Sequence, residues 1–284
     1  MIMLSQQKVL ILGARGMLGS DLAKEFAGSV KLTLWDKEEL DVTAEAAVLS
    51  KIRELSPQFI INATGYTDVA GAEVNPTIAQ LLNSEAVKFI VAAASQVGAR
   101  LVHFSTEYVF DGRADSGYDE MALVSPLNNY GKTKAAGEKF VLNYSKGYLV
   151  RTSWLYGQTP QRGKPRGKNF IDMILQLAQE QPAVKVVNDQ FGKLTYTVDL
   201  AKAVAKLLLN DYAPGVYHLV NESVTTWYEV AREVFRLKGI TTPLVPITSD
   251  EYADKVVRPQ RAILLNTKFP QLRTWQEAVP DYLK

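Results

Sequence analysis

The sequence predicts an α/β protein, an open, doubly wound parallel sheet with a smaller C-terminal lobe. Three observations carry that expectation. Short apolar runs alternate with helical patterns through the first half of the chain, a glycine-spaced turn joins the first run to the first helix, and the rhythm breaks after Trp154. Repeated strand–helix units of this kind build parallel sheets with right-handed crossovers and helices on both faces.

The elements follow in order. Residues 8–12 form a short apolar run ending at glycine, the form of a buried parallel strand, and a helix is expected over about 16–27. Residues 31–35 are a second strand. Thr43 is placed to cap a helix reaching about residue 55, with Glu45 in its first turn and Ser56-Pro57 ending it. Residues 59–63 are the third strand. Asn75-Pro76, a cap and then proline at the first position, opens a long helical stretch that Gly98 closes. Strands at 101–105 and 148–152 flank a helix over about 129–144.

Past Trp154, residues 158–168 carry four positive charges, two prolines and two glycines and read as a mobile loop. Strands recur at 184–187 and 216–219, and the last 60 residues mix short helices with proline-rich connections. The expected division is residues 1–156, with a sheet completed by parts of 184–220, followed by a lobe made mainly of 157–284.

Composition narrows the chemistry. The 284 residues are 22% charged and 47% hydrophobic, with a formal net charge of +2, which gives no electrostatic footprint for nucleic acid. The absence of cysteine excludes disulfides, thiolate catalysis and cysteine-ligated zinc. The two histidines, His103 and His218, are too few for a histidine-rich metal site, and each lies in an apolar run that predicts a packed, hydrogen-bonded imidazole. No apolar stretch reaches the roughly 18 to 20 residues of a membrane span. No signal-peptide core precedes the first strand, so a cytoplasmic protein is expected.

The turn Gly13-Ala14-Arg15-Gly16-Met17-Leu18-Gly19 follows a strand and opens a helix. In that context glycines let the backbone approach a pyrophosphate, and the helix N-terminus supplies N–H donors, as in Rossmann-type domains. The alternative is a tight turn that binds nothing. Asp36, 20 residues after Gly16, ends the second strand, where a carboxylate can bond the adenosine ribose diol of NAD. Arg15 suits the 2′-phosphate of NADP, so the cofactor choice stays open.

Ligands of open parallel sheets bind outside the carboxyl ends of the strands. That places Asn62-Ala63-Thr64-Gly65-Tyr66-Thr67 and Ser105-Thr106-Glu107-Tyr108 on one crevice. Thr106 has two readings, a strand-end cap and a hydroxyl that holds a substrate oxygen. Tyr130 and Lys134, four apart, share a helix face. A cation beside a phenol, whose ordinary pKa is about 10, brings the proton-transfer range closer to neutral pH.

These motifs, with Asn83, Tyr108-Val109-Phe110, Arg151-Thr152-Ser153-Trp154, Asn188-Asp189-Gln190-Phe191-Gly192, Thr225-Thr226-Trp227 and Arg258-Pro259, resemble the extended short-chain dehydrogenase/reductases. Within them the chain is most similar to the dTDP-4-dehydrorhamnose reductase family. The resemblance covers essentially the whole chain and implies a Rossmann lobe for NADPH or NADH, a C-terminal substrate-binding lobe for a nucleotide sugar, and reduction of a 4-keto-6-deoxy sugar at C4. Carried over by motif, Tyr130 donates the proton, Lys134 lowers its pKa and binds the nicotinamide ribose, and Thr106 positions the keto oxygen. Asp41-Val42 would lie along the adenine. Gly13, Arg15, Gly16, Met17, Leu18, Gly19, Asp36, Ala63, Thr64, Gly65, Tyr66, Thr67 and Asn83 would complete the cofactor site. Glu107, Tyr108, Trp154, Asn169 and Arg258 would join Thr106 on the substrate. The resemblance also leaves room for Mg2+ and for a homodimer.

Several positions depart from the family's pattern. Glu107 stands for the usual aspartate, Asp68-Val69-Ala70 displaces a carboxylate, the loop after Gly157 is long, Leu194 lies where a proline is expected, and Arg261-Ala262 replace small polar residues. Two rivals remain. A nucleotide-sugar dehydratase or epimerase is one, although dehydratases carry two adjacent carboxylates where this chain has Glu107-Tyr108. A non-catalytic regulatory subunit on the same scaffold is the other. The loop 158–168 is either a lid whose cations meet a diphosphate or plain surface.

Overall fold

The computed structural model describes residues 6–163, 167–210, 212–252 and 256–284. β1 (Lys8–Leu12) passes through the glycine turn into α1 (Met17–Phe26), followed by β2 (Lys31–Trp35), α2 (Glu45–Leu55) and β3 (Phe59–Asn62). Two short helices come next, α3 (Val69–Val74) and α4 (Pro76–Gln80). A single π-helical turn, Leu81–Glu85, then runs without a break into α5 (Ala86–Val97). β4 (Arg100–Thr106), α6 (Asn129–Leu142) and β5 (Gly147–Thr152) complete the first half. The second half holds β6 (Leu155–Tyr156), α7 (Phe170–Glu180), β7 (Val184–Val187), β8 (Phe191–Gly192), β9 (Thr195–Tyr196) and α8 (Thr197–Leu209). It ends with β10 (Gly215–His218), β11 (Thr225–Thr226), α9 (Trp227–Lys238), β12 (Leu244–Ile247) and α10 (Trp275–Tyr282).

Six strands form the central sheet in the order β10-β5-β4-β3-β1-β2, every pairing parallel. Successive side chains of a strand point to opposite faces, and the core divides accordingly. Ile11, Ile61 and Val102 pack with Leu22 and Phe26 of α1 and Val204 and Leu207 of α8 on one face. Their neighbours Leu10, Ile60 and Leu101 pack with Ile52 of α2 and Ile90 of α5 on the other. The order reverses between β1 and β3, which opens the crevice at the carboxyl ends of these strands. A separate core joins Ile174 of α7, Val186 of β7, Val234 and Phe235 of α9 and Val279 of α10. Among the described residues no helix is long and apolar enough to cross a membrane.

Of residues 184–220, β10 joins the central sheet at the edge beside β5, whereas β7 pairs with β12. One local expectation is corrected. Thr43 does not cap α2, because its N–H and hydroxyl both donate to Asp41 Oδ1, at 3.0 and 2.7 Å. The expected helical stretch up to Gly98 is continuous but carries a π turn at Leu81–Glu85, where the Ala86 N–H donates five residues back, to the Leu81 carbonyl. Both histidines are buried and hydrogen-bonded. His103 Nδ1 lies 3.0 Å from Asn62 Nδ2, and His218 Nδ1 lies 3.0 Å from the Leu265 carbonyl.

Candidate active site

A cavity of about 640 Å³ runs along the carboxyl ends of β1 to β5 and reaches the second lobe. At one end lies the glycine turn. Gly13 adopts φ +76°, and a side chain on Gly19 would fall 2.0 Å from the Gly13 carbonyl oxygen, so α1 starts pressed against its own turn. α1 has no side-chain cap and no acidic residue in its first turn, and Met17, Leu18 and Gly19, whose N–H groups lack helical partners, line the cavity. Asp36, Asp41 and Val42 line the same end. Ala63, Thr64, Gly65 and Thr67 continue the wall; Asn62 Oδ1 accepts the Thr64 hydroxyl at 2.6 Å and so fixes the loop after β3.

The other end is built on α6. The Asn128 side chain caps it by accepting the Gly131 N–H at 2.9 Å. Tyr130, Lys134 and Glu138, spaced by four, form one stripe. Tyr130 packs edge-on against Tyr108, with ring centroids 5.4 Å apart. The Lys134 ammonium donates to the Phe104 carbonyl at 2.6 Å. Behind them, Glu138 accepts two hydrogen bonds from the Arg151 guanidinium, at 2.9 and 2.8 Å, and one from Ser105 Oγ at 2.6 Å, all buried. This pair fastens the stripe to β5 and β4.

Thr106 acts as the strand-end cap, its oxygen accepting the Tyr108 N–H at 3.2 Å. Its hydroxyl lies in the cavity wall and donates to Glu107 Oε2 at 2.8 Å. Burial pushes the Tyr130 phenol well above its ordinary pKa, and the Glu107 carboxylate adds to this, while the Thr106 hydroxyl opposes it. Lys134 is not among the groups that shift the phenol, and its ammonium is engaged by a backbone carbonyl. Burial also lowers Lys134 itself to about 8, against the pull of Glu138. The phenol is thus held protonated, the form that donates a proton.

The second lobe closes the cavity with aromatics. Trp154, at φ +45°, stacks on Trp227 with centroids 3.7 Å apart, and Phe170 tilts against Trp227 at 4.6 Å. All three line the cavity. Gln161, Arg162 and Gly163 line it too, and a side chain on Gly163 would meet Thr67 Oγ1 at 2.4 Å, so this part of the loop crosses to the first lobe. Lys164 and Arg166 lie outside the described residues. Lys168 turns away and donates to Gln176 on α7 at 2.6 Å.

Five expected site residues do not line the cavity. Arg15 reaches outward to Glu38 and Glu39. Asn83 is fully buried beneath the wall, where its amide bonds the Tyr66 backbone at 2.9 and 3.1 Å and Thr133 Oγ1 at 3.1 Å, and the Tyr66 ring turns towards Gly71. Asn169 caps α7, and its amide nitrogen bonds Gly157, Asp172 and Tyr282. Arg258 lies among 256–260, with its guanidinium 3.4 Å from the Val256 carbonyl. Lys37, Ile78, Ser153, Phe170 and Trp227 line the cavity unforeseen, although Ser153 and Trp227 stood within quoted motifs. Among the described residues, Thr152 Oγ1 and Ser153 Oγ are buried without a hydrogen-bond partner. Among the described residues no group of three or more acidic, histidine or cysteine side chains could hold a metal ion, so the Mg2+ that the resemblance allows gains no support.

Among the known proteins similar to this chain are reductases of dTDP-linked sugars. The dTDP-4-dehydrorhamnose reductase of Escherichia coli is 38% identical over 298 residues, covering 97% of this chain and 96% of its own. The dTDP-4-keto-6-deoxy-D-glucose reductase of Streptomyces niveus is 38% identical over 259 residues, covering 90% of this chain and 87% of its own. The crystal structure of dTDP-4-dehydrorhamnose reductase from Bacillus anthracis in complex with NADP superposes with a TM-score of 0.92 at 33% identity, covering 98% of this chain and 99% of that one. Matched from residue 7 to residue 284, the chain belongs to the RmlD substrate binding domain family.

Proposed function

We propose that the protein is an NAD(P)H-dependent reductase of a nucleotide-linked 4-keto-6-deoxy sugar, converting dTDP-4-dehydro-L-rhamnose to dTDP-L-rhamnose. One arrangement carries this reading: the half-buried phenol of Tyr130 beside the Thr106 hydroxyl, at the opposite end of one cavity from a helix-terminal glycine turn. The residues fit a dinucleotide. Side chains at Gly13 and Gly19 would collide with the backbone, leaving the turn bare, and the unpartnered hydroxyls of Thr152 and Ser153 supply polar groups further along. Gly13, Gly16, Met17, Leu18 and Gly19 would cradle the pyrophosphate, Asp36 the adenosine ribose, Asp41 and Val42 the adenine, and Lys134 the nicotinamide ribose. Bound NAD(P)H supplies the hydride.

Tyr130 delivers the proton to the oxygen that becomes the C4 hydroxyl, and Thr106 holds that oxygen in place. Glu107 and Tyr108 border the sugar, and Trp154 covers it. Residues 1–156 with β10 would serve the cofactor and the remainder the substrate. A cytoplasmic reaction belongs to the same reading. Tyr108 follows Glu107 where a dehydratase needs a second carboxylate, which favours reduction.

The test is NADH and NADPH oxidation with a coupled supply of the dTDP-4-keto-6-deoxy sugar. The wild type should turn over, and Y130F should lose about 10²- to 10⁴-fold while still binding cofactor. A Y130F enzyme within about threefold of wild type would remove the phenol from the mechanism.

A further inference from the structure

At the carboxyl end of β2 a closed ring of hydrogen bonds joins three residues. The Arg15 N–H donates to Asp36 Oδ2 at 2.9 Å, the Asp36 N–H donates to Glu39 Oε2 at 2.8 Å, and the Arg15 guanidinium returns to Glu39 Oε1 at 2.5 Å. Glu38 takes the second arm of the guanidinium at 2.6 Å. Glu39 is not a freely swinging surface carboxylate. The Asp36 N–H, and then Arg15, hold it below the ordinary carboxylate range, and its own carbonyl accepts Lys51 Nζ. The two residues that the sequence sets in competition for the adenosine ribose, Asp36 and Arg15, are therefore held together by a third that does not line the cavity.

We propose that Glu39 sets the preference between the two nicotinamide cofactors by keeping the Arg15 guanidinium occupied. The inference rests on the reading that this cavity takes NAD(P)H. A ribose diol is neutral and needs only acceptor positions on Asp36, whose oxygens otherwise take the N–H groups of Arg15 and Lys37. A 2′-phosphate brings about two negative charges to a corner with carboxylates at Asp36, Glu38 and Glu39 and cations at Arg15 and Lys37. Both arms of Arg15 are already engaged, so the phosphate must compete with Glu39 for its natural partner, whereas NADH disturbs nothing.

Fluorescence titration of the full-length protein with NADPH and with NADH, in wild type, E39Q, R15A and the double variant, tests this without any sugar substrate. E39Q should tighten NADPH by about threefold to fivefold, the range one exposed ion pair supports, and change NADH by less than about twofold. The gain should shrink at high salt and vanish in the R15A background. Wild type binding both cofactors with their ratio unchanged in E39Q overturns this proposal alone. A gain that persists without Arg15 also overturns it, since Glu39 would then act as a bare charge on Lys37 or on the phosphate. A wild type that binds neither cofactor overturns the reading of the cavity, and this inference with it. Glu39 is partly exposed, and Gln keeps its shape, so circular dichroism should show E39Q folded like the parent.

Discussion

Thr106 gives its hydroxyl proton to Glu107 at 2.8 Å while both side chains are buried. That single donation decides what Thr106 has left to offer. Its oxygen accepts the Tyr108 N–H, so to hold a keto oxygen its single proton must turn from the carboxylate to the substrate. Glu107 thereby orients the threonine and, as a buried charge, favours the protonated phenol of Tyr130.

Neutralising that charge should move the pH profile. The phenol must carry its proton to donate it, so activity falls as pH rises through its pKa. Burial, Glu107 and Tyr108 raise that pKa and Thr106 lowers it, while Lys134 and Glu138 share the helix face. E107Q should therefore shift the basic limb of kcat/KM to lower pH, and E107D, which keeps the charge, should shift it less. Coincident profiles for E107Q and wild type would show that the carboxylate does not act on the phenol.

Lys134 should trade stability for function. Its folded pKa of about 8 lies below the ordinary 10.5, so the unfolded chain holds the extra proton between these values. The penalty for the buried ammonium is fully present below pH 8 and is relieved as pH rises towards 10.5. K134M should raise Tm at pH 7 while abolishing most turnover, and its advantage should narrow at alkaline pH. A lower Tm at pH 7 would show that the bond to the Phe104 carbonyl outweighs desolvation.

The Glu138–Arg151 pair should behave in the opposite way. E138Q leaves a guanidinium buried beside a neutral partner, and loss of about 3–5 kcal/mol is expected in urea unfolding. Replacing both partners with apolar residues should cost less than replacing Glu138 alone.

Arg162 and Lys168 separate the lid from the surface within one loop. Arg162 lines the cavity and Lys168 is bonded to Gln176. R162A should raise KM for the sugar nucleotide several-fold with cofactor affinity unchanged, and K168A should change neither. Equal effects, or none, would place the substrate diphosphate elsewhere.

The parallel sheet was legible because residues 9–12, 59–61 and 101–104 are buried on both faces, which leaves apolar runs broken only by His103. The Tyr130–Lys134 stripe was legible for a similar reason, since helix geometry alone puts i and i+4 together. The electrostatics of that stripe were not, because they depend on Glu107, 23 residues upstream, and on a carbonyl of β4. Asn169 misled in the same way. It sits in a motif beside the cavity-lining Phe170, but its partner Tyr282 lies 113 residues away and draws the amide into the second core. Thr43 looked like a cap until Asp41, two residues earlier, claimed its hydroxyl. Local pattern fixes which face a side chain shares, and distant packing fixes what it bonds.

The π turn at Leu81–Glu85 has a consequence for how this corner can change. Such a turn is an α-helix carrying one surplus residue, and here the surplus sets Asn83 where it pegs the Tyr66 backbone and Thr133 of α6 together. The carbonyl of Asn83 also rests against α6, where a side chain on Gly137 would come within 2.1 Å. Deleting one residue would restore uniform winding and turn Asn83 by about 100° relative to the helix that follows. The loop beside the cofactor end and the helix carrying Tyr130 would lose their common peg in one step. Replacing Asn83 alone would remove the same bonds and leave the winding intact, so a deletion differs in that it also turns the helix beneath the lost peg.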